Sequence, residues 1–181
     1  MSLRASTLSL RASAKQSEFF MHEAIHLALK GIGFTSPNPA VGALVVKQGK
    51  TISEGYHRQA GTDHAELIAL KKAGSKAKGA TLYITLEPCC HADKRTPPCT
   101  EAILKYGIKE VVVATLDPNP KVLGKGVRFL RQHKIKVKVG VLAEIAANIN
   151  KAYNKWAQTK RPYVILKSAM IMETLFTMTK S

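Results

Sequence analysis

Apolar side chains recur along the chain with two distinct spacings. From Ser17, the segment "SEFFMHEAIHLALKGIG" has apolar residues every three or four positions, which predicts an amphipathic helix capped by Ser17 and ended by Gly31. Short continuous apolar runs such as "VGALVV" and "VVVA" are instead typical of strands buried in a sheet. The spacing therefore predicts a chain that contains both helices and strands.

Strands and helices alternate through the rest of the chain. "AVGALVVKQGKTISEGYH" predicts a β-hairpin with its turn at residues 48–50. "DHAELIALKKAG" predicts a helix with Asp63 as N-cap and Glu66 completing a capping box. Further strands are predicted at "ATLYITLEP", "KEVVVATLD" and "IKVKVGVL", and further helices at "PPCTEAILKYG", "GKGVRFLRQHK" and, as one last long helix, "AEIAANINKAYNKWAQ". This alternation is typical of an α/β fold with helices on both faces of a sheet.

The two ends of the chain depart from this pattern. Residues 1–16 are rich in Ser, Ala and Arg without any acid, which fits a transit peptide, a disordered extension or an expression leftover, so we expect them to lie outside the fold. Residues 17–158 are expected to form one domain. From Arg161, "RPYVILKSAM" predicts another strand, but the residues after it show no clear period. We interpret residues 159–181 as the truncated start of a second domain.

Composition narrows the class of protein. The 181 residues are 45% hydrophobic, which is enough for one core, and no apolar run approaches the roughly 18 to 20 residues of a membrane-spanning helix. The three cysteines are bunched within eleven residues, unlike the even, dispersed set of a disulfide framework. We therefore expect a cytoplasmic protein whose thiols serve metal binding or catalysis.

The charge is strongly positive and uneven. The formal net charge is +16, and the segment from Lys121 to Ser181 has thirteen Lys or Arg against two acids. This balance fits a polyanionic partner or a phosphorylated substrate, or more simply a lysine-rich surface whose only role is solubility. Aromatic residues are not interleaved with the basic ones, so binding of single-stranded nucleic acid is not supported.

The candidate chemistry lies in His64, Glu66 and the cysteines. A catalytic Zn²⁺ takes three protein ligands and leaves a fourth position for water, and His64, one of Cys89 or Cys90, and Cys99 would supply the three. Glu66 lies two residues beyond His64 in the same predicted turn, where it can shuttle protons beside the activated water without binding the metal.

Each of these residues also has a simpler interpretation. A histidine at a helix start is often a cap or a surface residue, Glu66 fits a capping box, and cysteines are often small buried hydrophobes. In combination, however, these residues match the signature of zinc nucleobase deaminases, which has His-x-Glu at one helix start, Pro-Cys after a strand and a further Cys at the next helix start. The combination therefore predicts a Zn²⁺ site.

With these residues, the chain resembles the cytidine-deaminase-like superfamily, and within it the deaminase domains of the bifunctional riboflavin-biosynthesis (RibD) family. The resemblance covers about residues 18–150. The long spacing in "CHADKRTPPC" distinguishes this branch from nucleoside and tRNA deaminases, and "DPNP" supports the assignment. Four segments carry the resemblance: "SPNPAVGALVVKQGKTISEGYH", "AGTDHAELIAL", "GATLYITLEPCCHADKRTPPCTEAI" and "DPNPKVLGKGVRFLRQHKIKV".

The resemblance implies a fold, a reaction and a set of residues. The fold would be a three-layer α/β/α arrangement with a five-stranded mixed sheet. The reaction would be hydrolytic deamination of 2,5-diamino-6-ribosylamino-4(3H)-pyrimidinone 5′-phosphate. Zn²⁺ would be bound by His64, Cys89 and Cys99, with Glu66 carrying protons from the water to the ring nitrogen and the leaving amine. Six residues fall on segments similar to those that line the substrate pocket: Asn38, His57, His91, Arg95, Asp117 and Asn119.

These six residues have alternatives of their own. Arg95 is the candidate for the phosphate, because its planar fork pairs two oxygens at once. His91 could instead contact the metal ligands. His57 could be an exposed polar residue, and Asp117 and Asn119 could be turn-formers beside prolines.

Two departures from the family pattern stand out. The loop between Cys89 and Cys99 is one residue longer than usual, so that Cys90 would restore the family spacing. We favour Cys89, because the strand end fixes its position whereas a loop absorbs an extra residue at little cost. The resemblance also stops near residue 170, where the family continues into a reductase domain, so we expect no reductase activity.

The expected partner is a small phosphorylated pyrimidine rather than a nucleic acid or a membrane. Two other functions stay open: deamination of another base, nucleotide or nucleic acid, and a non-catalytic relic that keeps structural zinc. The hydrophobic C-terminal run favours an exposed patch and, with it, instability or a homo-oligomer.

Overall fold

The computed structural model describes residues 3–90 and 98–168, with side chains from residue 11 onward. Five strands, six α-helices and a short 3₁₀ turn at Gly74–Ala77 make up the described fold. The strands are β1 (Gly42–Lys47), β2 (Lys50–Tyr56), β3 (Thr81–Leu86), β4 (Glu110–Thr115) and β5 (Lys136–Val139). The helices are α1 (Leu3–Leu29), α2 (Ala65–Ala73), α3 (Cys99–Lys105), α4 (Lys125–Gln132), α5 (Ala143–Ile149) and α6 (Lys151–Thr159).

The five strands form one mixed sheet in the order β2-β1-β3-β4-β5. The pairs β2–β1 and β1–β3 are antiparallel, whereas β3–β4 and β4–β5 are parallel. The predicted hairpin is confirmed: β1 and β2 are joined by Gln48 and Gly49, both with positive φ, as a tight hairpin turn requires.

Alternate side chains along the strands face two separate cores. Ala43 and Val45 of β1 pack on the side of α2, α3 and α4, while Leu44 and Val46 pack on the side of α1 and α5. The sheet is thus buried between two helical layers, and the expected α/β/α class with a five-stranded mixed sheet is confirmed. In the described residues, no helix combines the length and the apolar character that a membrane span needs.

Close packing at glycine fixes α2 against the hairpin. A Cβ added at Gly55 would lie 2.4 Å from the carbonyl oxygen of Ala65, the first residue of α2. Because β2 carries no side chain there, the start of α2 can approach the sheet closely. The residues at the start of α2 therefore have a fixed position relative to β1 and β2.

Two predicted helix starts are wrong. Helix α1 begins at Leu3, so Ser17 is not its cap, although Ser17 is the first buried residue after an exposed stretch at residues 11–16. The N-cap of α2 is His64 rather than Asp63, whose carboxylate is paired with Lys71 Nζ at 2.6 Å. With its side chain engaged by that ion pair, Asp63 does not cap the helix, and Glu66 takes part in no capping box.

The C-terminal part also differs from expectation. The predicted last helix is two helices, because the backbone departs from helical geometry at Asn150, with φ −108° and ψ 31°. The strand predicted from Arg161 is wrong for residues 161–168, which have no regular structure; Val164, Ile165 and Leu166 are 79–93% exposed. A strand needs a neighbouring strand for its backbone hydrogen bonds, and none in the described part of the chain pairs with this segment. The domain boundaries predicted at residues 17 and 159 stay predictions.

Candidate active site

Three side chains from separate elements converge at one end of the sheet. His64 is the N-cap of α2, Cys89 lies three residues beyond the end of β3, and Cys99 is the first residue of α3. One ligand atom from each lies within 4.8 Å of the others. We call these residues the His64–Cys89–Cys99 cluster.

The dimensions of the cluster suit a tetrahedral zinc ion. His64 Nδ1 lies 3.2 Å from Cys99 Sγ and 3.7 Å from Cys89 Sγ. When Zn²⁺ has tetrahedral geometry, an imidazole nitrogen and a thiolate sulfur bound to it lie about 3.5 Å apart, and two bound sulfurs lie about 3.8 Å apart. The observed separations bracket the first value, and the donor set of one imidazole and two thiols is one that Zn²⁺ prefers. The residues present therefore fit the metal.

The two thiols of the cluster influence each other directly. A hydrogen bond with the Cys99 thiol lowers the pKa of Cys89 well below its usual value, and that same bond, together with burial, raises the pKa of Cys99. The backbone N–H of Cys99 also donates to Cys89 Sγ at 3.5 Å. Among the described residues, the group that could hold a metal contains Cys89 and not Cys90, which is half-buried beside it.

Glu66 is buried next to the cluster. It lies in the first turn of α2, two residues after His64, and is 3% exposed. Burial raises the pKa of Glu66, and the neighbouring His64 opposes this effect. The carboxyl group of Glu66 therefore lies beside the cluster in an environment that favours its protonated form more strongly than bulk water would.

A cavity of about 220 Å³ opens beside the cluster and Glu66. Four of the six predicted substrate residues line it: Asn38, His57, Asp117 and Asn119. His91 and Arg95 lie outside the described residues. The rest of the described lining consists of Pro39, Val41, Leu86, Glu87, Val122 and Tyr153.

His57 forms part of the cavity wall rather than an exposed polar surface. It is 2% exposed, and its ring packs edge-on against His64 with ring centres 5.3 Å apart. Its Nε2 lies 3.3 Å from Asn38 Nδ2, and its Nδ1 lies 3.2 Å from the carbonyl oxygen of Asp63. A neutral ring protonated on Nδ1 satisfies both contacts, since it donates to the carbonyl and accepts from the amide.

Asp117 and Asn119 line the cavity and also shape their own loop. The backbone N–H of Asn119 donates to Asp117 Oδ1 at 2.9 Å, and that of Lys121 donates to Asn119 Oδ1 at 3.1 Å. The geometry is therefore compatible with both interpretations of these residues, since they form turns beside the prolines and also line the cavity.

Glu87 is a site residue that the sequence interpretation missed. It is 4% exposed, and its Oε2 accepts hydrogen bonds from the backbone N–H groups of Asp117 (3.2 Å) and Gly124 (2.8 Å). Its Oε1 accepts another from Val127 at 3.1 Å, in the first turn of α4. The available sequence signal was a carboxylate directly after a buried strand, in "LEP". In the structure, Glu87 connects the end of β3 to the loop that carries Asp117.

Tyr153 of α6 is the second missed residue. Its hydroxyl lies 2.9 Å from Asp117 Oδ1 and 3.1 Å from Asp117 Oδ2. No sequence motif marks this tyrosine, and helical periodicity alone assigns it to a packing face. Only the fold brings α6 to the cavity.

A family comparison agrees with this geometry. The family described as the cytidine and deoxycytidylate deaminase zinc-binding region matches residues 14–115, more than half of the 181 residues, and the chain belongs to this family. The match contains all three members of the His64–Cys89–Cys99 cluster and Glu66, but ends before Asp117, Asn119 and Tyr153.

Individual relatives confirm the resemblance to the riboflavin-biosynthesis branch. The chain is 55% identical over 154 residues to the riboflavin biosynthesis protein RibD of Aquifex aeolicus, covering 85% of this chain and 43% of that protein. It is 49% identical over 147 residues to the diaminohydroxyphosphoribosylamino-pyrimidine deaminase of Buchnera aphidicola subsp. Schizaphis graminum, covering 81% of this chain and 99% of that protein.

A solved structure shows the same architecture. One form of Acinetobacter baumannii RibD superimposes with a TM-score of 0.80 at 49% sequence identity, covering 83% of this chain and 42% of that one. The chain thus spans less than half the length of the RibD proteins that it matches, and nearly the whole length of the Buchnera deaminase.

Proposed function

We propose that this chain is a zinc-dependent deaminase that acts on 2,5-diamino-6-ribosylamino-4(3H)-pyrimidinone 5′-phosphate in riboflavin biosynthesis. The observation that carries the proposal is the convergence of His64, Cys89 and Cys99 beside buried Glu66, at the wall of a cavity. Its support from relatives is the 49% identity to the Buchnera deaminase, 99% of which the chain covers.

The His64–Cys89–Cys99 cluster would hold the metal. Zn²⁺ bound there would supply the activation of water that hydrolytic deamination needs at neutral pH. Cys89 rather than Cys90 is the proposed ligand, since it is Cys89 that lies with His64 and Cys99 in the cluster.

Glu66 is the proposed proton carrier. Its carboxylate takes a proton from the attacking water and delivers it to the ring nitrogen beside the reacting carbon. The second proton of that water follows to the amino group, so the carbon gains a carbonyl oxygen and releases ammonia. The burial of Glu66 keeps bulk water from competing for these protons.

The cavity residues would bind and orient the substrate. Asn38, held against His57, offers an amide edge to the pyrimidine or the ribose, and Asn119 offers another. The described lining contains no Lys or Arg, so the phosphate would be bound from outside it. Arg95, which lies outside the described residues, stays the predicted phosphate ligand.

The test is ammonia release from the pyrimidinone phosphate by the purified chain, with zinc content measured on the same sample. Cytidine, dCMP and a single-stranded RNA serve as competing substrates. We expect about one zinc per chain and release from the pyrimidinone phosphate alone. Release from one of the competitors instead would replace the proposed substrate, and a zinc-loaded chain inactive on all of them would favour the non-catalytic interpretation.

A further inference from the structure

Tyr153 lies outside the part of the chain that the deaminase family matches, yet it reaches the cavity. The family match ends at residue 115, whereas Tyr153 is on α6. It is half-buried, lines the cavity and shares its hydroxyl hydrogen between the two oxygens of Asp117, at 2.9 and 3.1 Å. One polar contact therefore links the C-terminal helix to a carboxylate that faces the cavity.

A separate contact fixes the position of α6. The side chain of Asn150 accepts from the backbone N–H of Ala40 at 2.8 Å and donates to the carbonyl oxygen of the same residue at 2.9 Å. Asn150 is 8% exposed, and Ala40 lies between Pro39 and Val41, which both line the cavity. The start of α6 is therefore attached to the cavity wall, and Tyr153, one helical turn later, lies on the same face.

The hydroxyl of Tyr153 is a donor to Asp117 under ordinary conditions. Burial raises the pKa of Tyr153, and the neighbouring Asp117 carboxylate raises it further. The phenol therefore stays protonated near neutral pH and donates to Asp117. Since the contact is between a neutral hydroxyl and a carboxylate, it belongs to the stronger class of hydrogen bonds.

The hydrogen bonds to Asp117 are distributed unevenly over its two oxygens. Oδ1 accepts from Tyr153 and from the backbone N–H of Asn119, while Oδ2 shares only the Tyr153 hydrogen among the described residues. A carboxylate can accept about four hydrogen bonds. Oδ2 therefore retains acceptor capacity on a residue that lines the cavity.

Packing alone does not account for a tyrosine at this position. Tyr153 also lines an outer groove of about 440 Å³, together with Asn38 and Trp156. A phenylalanine would fill the same space. What the tyrosine adds is its hydroxyl, and that hydroxyl is directed at Asp117.

We infer that Tyr153 is a positioning residue for substrate binding: it holds the Asp117 carboxylate so that Oδ2 accepts a hydrogen bond from a ribose hydroxyl or an amino group of the substrate. The inference rests on the proposed function. It also makes α6 part of the substrate site.

The test is a double-mutant cycle on ammonia release, with Tyr153→Phe, Asp117→Asn and the double variant. We expect Tyr153→Phe to raise KM about tenfold with a smaller effect on kcat, because a hydrogen bond to a charged group is lost while the ring is kept. Asp117→Asn should raise KM at least as much. The double variant should bind no more weakly than Asp117→Asn, because Tyr153 acts through that carboxylate.

Tyr106→Phe is the matched control, because Tyr106 is a half-buried tyrosine at the end of α3 that does not line the cavity. It should leave KM and kcat unchanged. The role of Tyr153 would be overturned by an unchanged KM in Tyr153→Phe, including the case in which only the melting temperature falls. It would also be overturned if the KM increases of the two single variants multiplied in the double variant. If the wild type releases no ammonia from this substrate, the proposed function itself fails; an active wild type separates the two failures.

Discussion

The cavity has two sides that are built in different ways. On one side, α2, the end of β3 and the start of α3 supply His64, Glu66, Cys89 and Cys99, whose side chains meet one another. On the other side, the loop after β4 and α6 supply polar side chains that largely engage the backbone or each other. Asp117 bonds to its own loop and to Tyr153 in this way.

The difference separates the groups proposed to bind the metal and react, the reacting side, from groups that hold a shape, the holding side. The reacting side needs few residues, because helix starts and a strand end bring His64 and Cys99 together although they are 35 residues apart in the sequence. The holding side depends on contacts between distant parts of the chain, such as Asn150 with Ala40, 110 residues apart. Changes on the first side should abolish metal binding or chemistry, whereas changes on the second should alter stability and substrate affinity.

The largest effect is expected from the adjacent cysteines. Cys89→Ser should reduce zinc from about one per chain to almost none and abolish deamination, because a zinc site loses a thiolate ligand. Cys90→Ser is the matched control and should keep both zinc and activity. Metal content by mass spectrometry, together with ammonia release, measures the effect. Loss of zinc in the Cys90 variant alone would transfer the ligand role to Cys90.

Glu66→Gln should follow in size. The amide cannot carry the proton, so kcat should fall about 10²- to 10⁴-fold while zinc content is retained. Glu101→Gln changes an exposed carboxylate in the first turn of α3 and should leave kcat unchanged. Retention of kcat in the Glu66 variant would remove Glu66 from the mechanism, and loss of zinc from it would assign the residue to the metal site instead.

Glu87 follows β3 and holds the loop that carries Asp117, so Glu87→Gln should destabilise the fold by about 2–4 kcal/mol. The amide group replaces one acceptor oxygen, so at least one of the three N–H donors of Asp117, Gly124 and Val127 faces another donor. Urea unfolding of the zinc-loaded protein measures the change. Glu54→Gln, at an exposed position on β2, should shift the stability by less than about 0.5 kcal/mol. Equal stability of the two variants would contradict the role of Glu87 in holding the loop.

The sequence predicted the convergence of the His64–Cys89–Cys99 cluster and the placement of Asp117 and Asn119 at the cavity, but it missed Glu87 and Tyr153, for a physical reason. The hairpin follows from Gln48 and Gly49, and the convergence of the cluster from residue types placed at element ends. Such signals are local. Asp63 was wrongly predicted as a cap, because the sequence spacing does not reveal that its side chain pairs with Lys71 instead. The helix break at Asn150 and the reach of Tyr153 depend on partners far away in the sequence.

The smallest effect is expected at Leu166, in the segment predicted as a strand. In the structure it is 93% exposed, so Leu166→Ala should change the free energy of unfolding by less than about 0.5 kcal/mol. Leu82→Ala is the matched substitution in β3, where the leucine is fully buried, and should cost about 2–5 kcal/mol. Urea unfolding of both variants provides the comparison. A cost at Leu166 close to that at Leu82 would mean that this segment is packed in solution, as the predicted strand would have been.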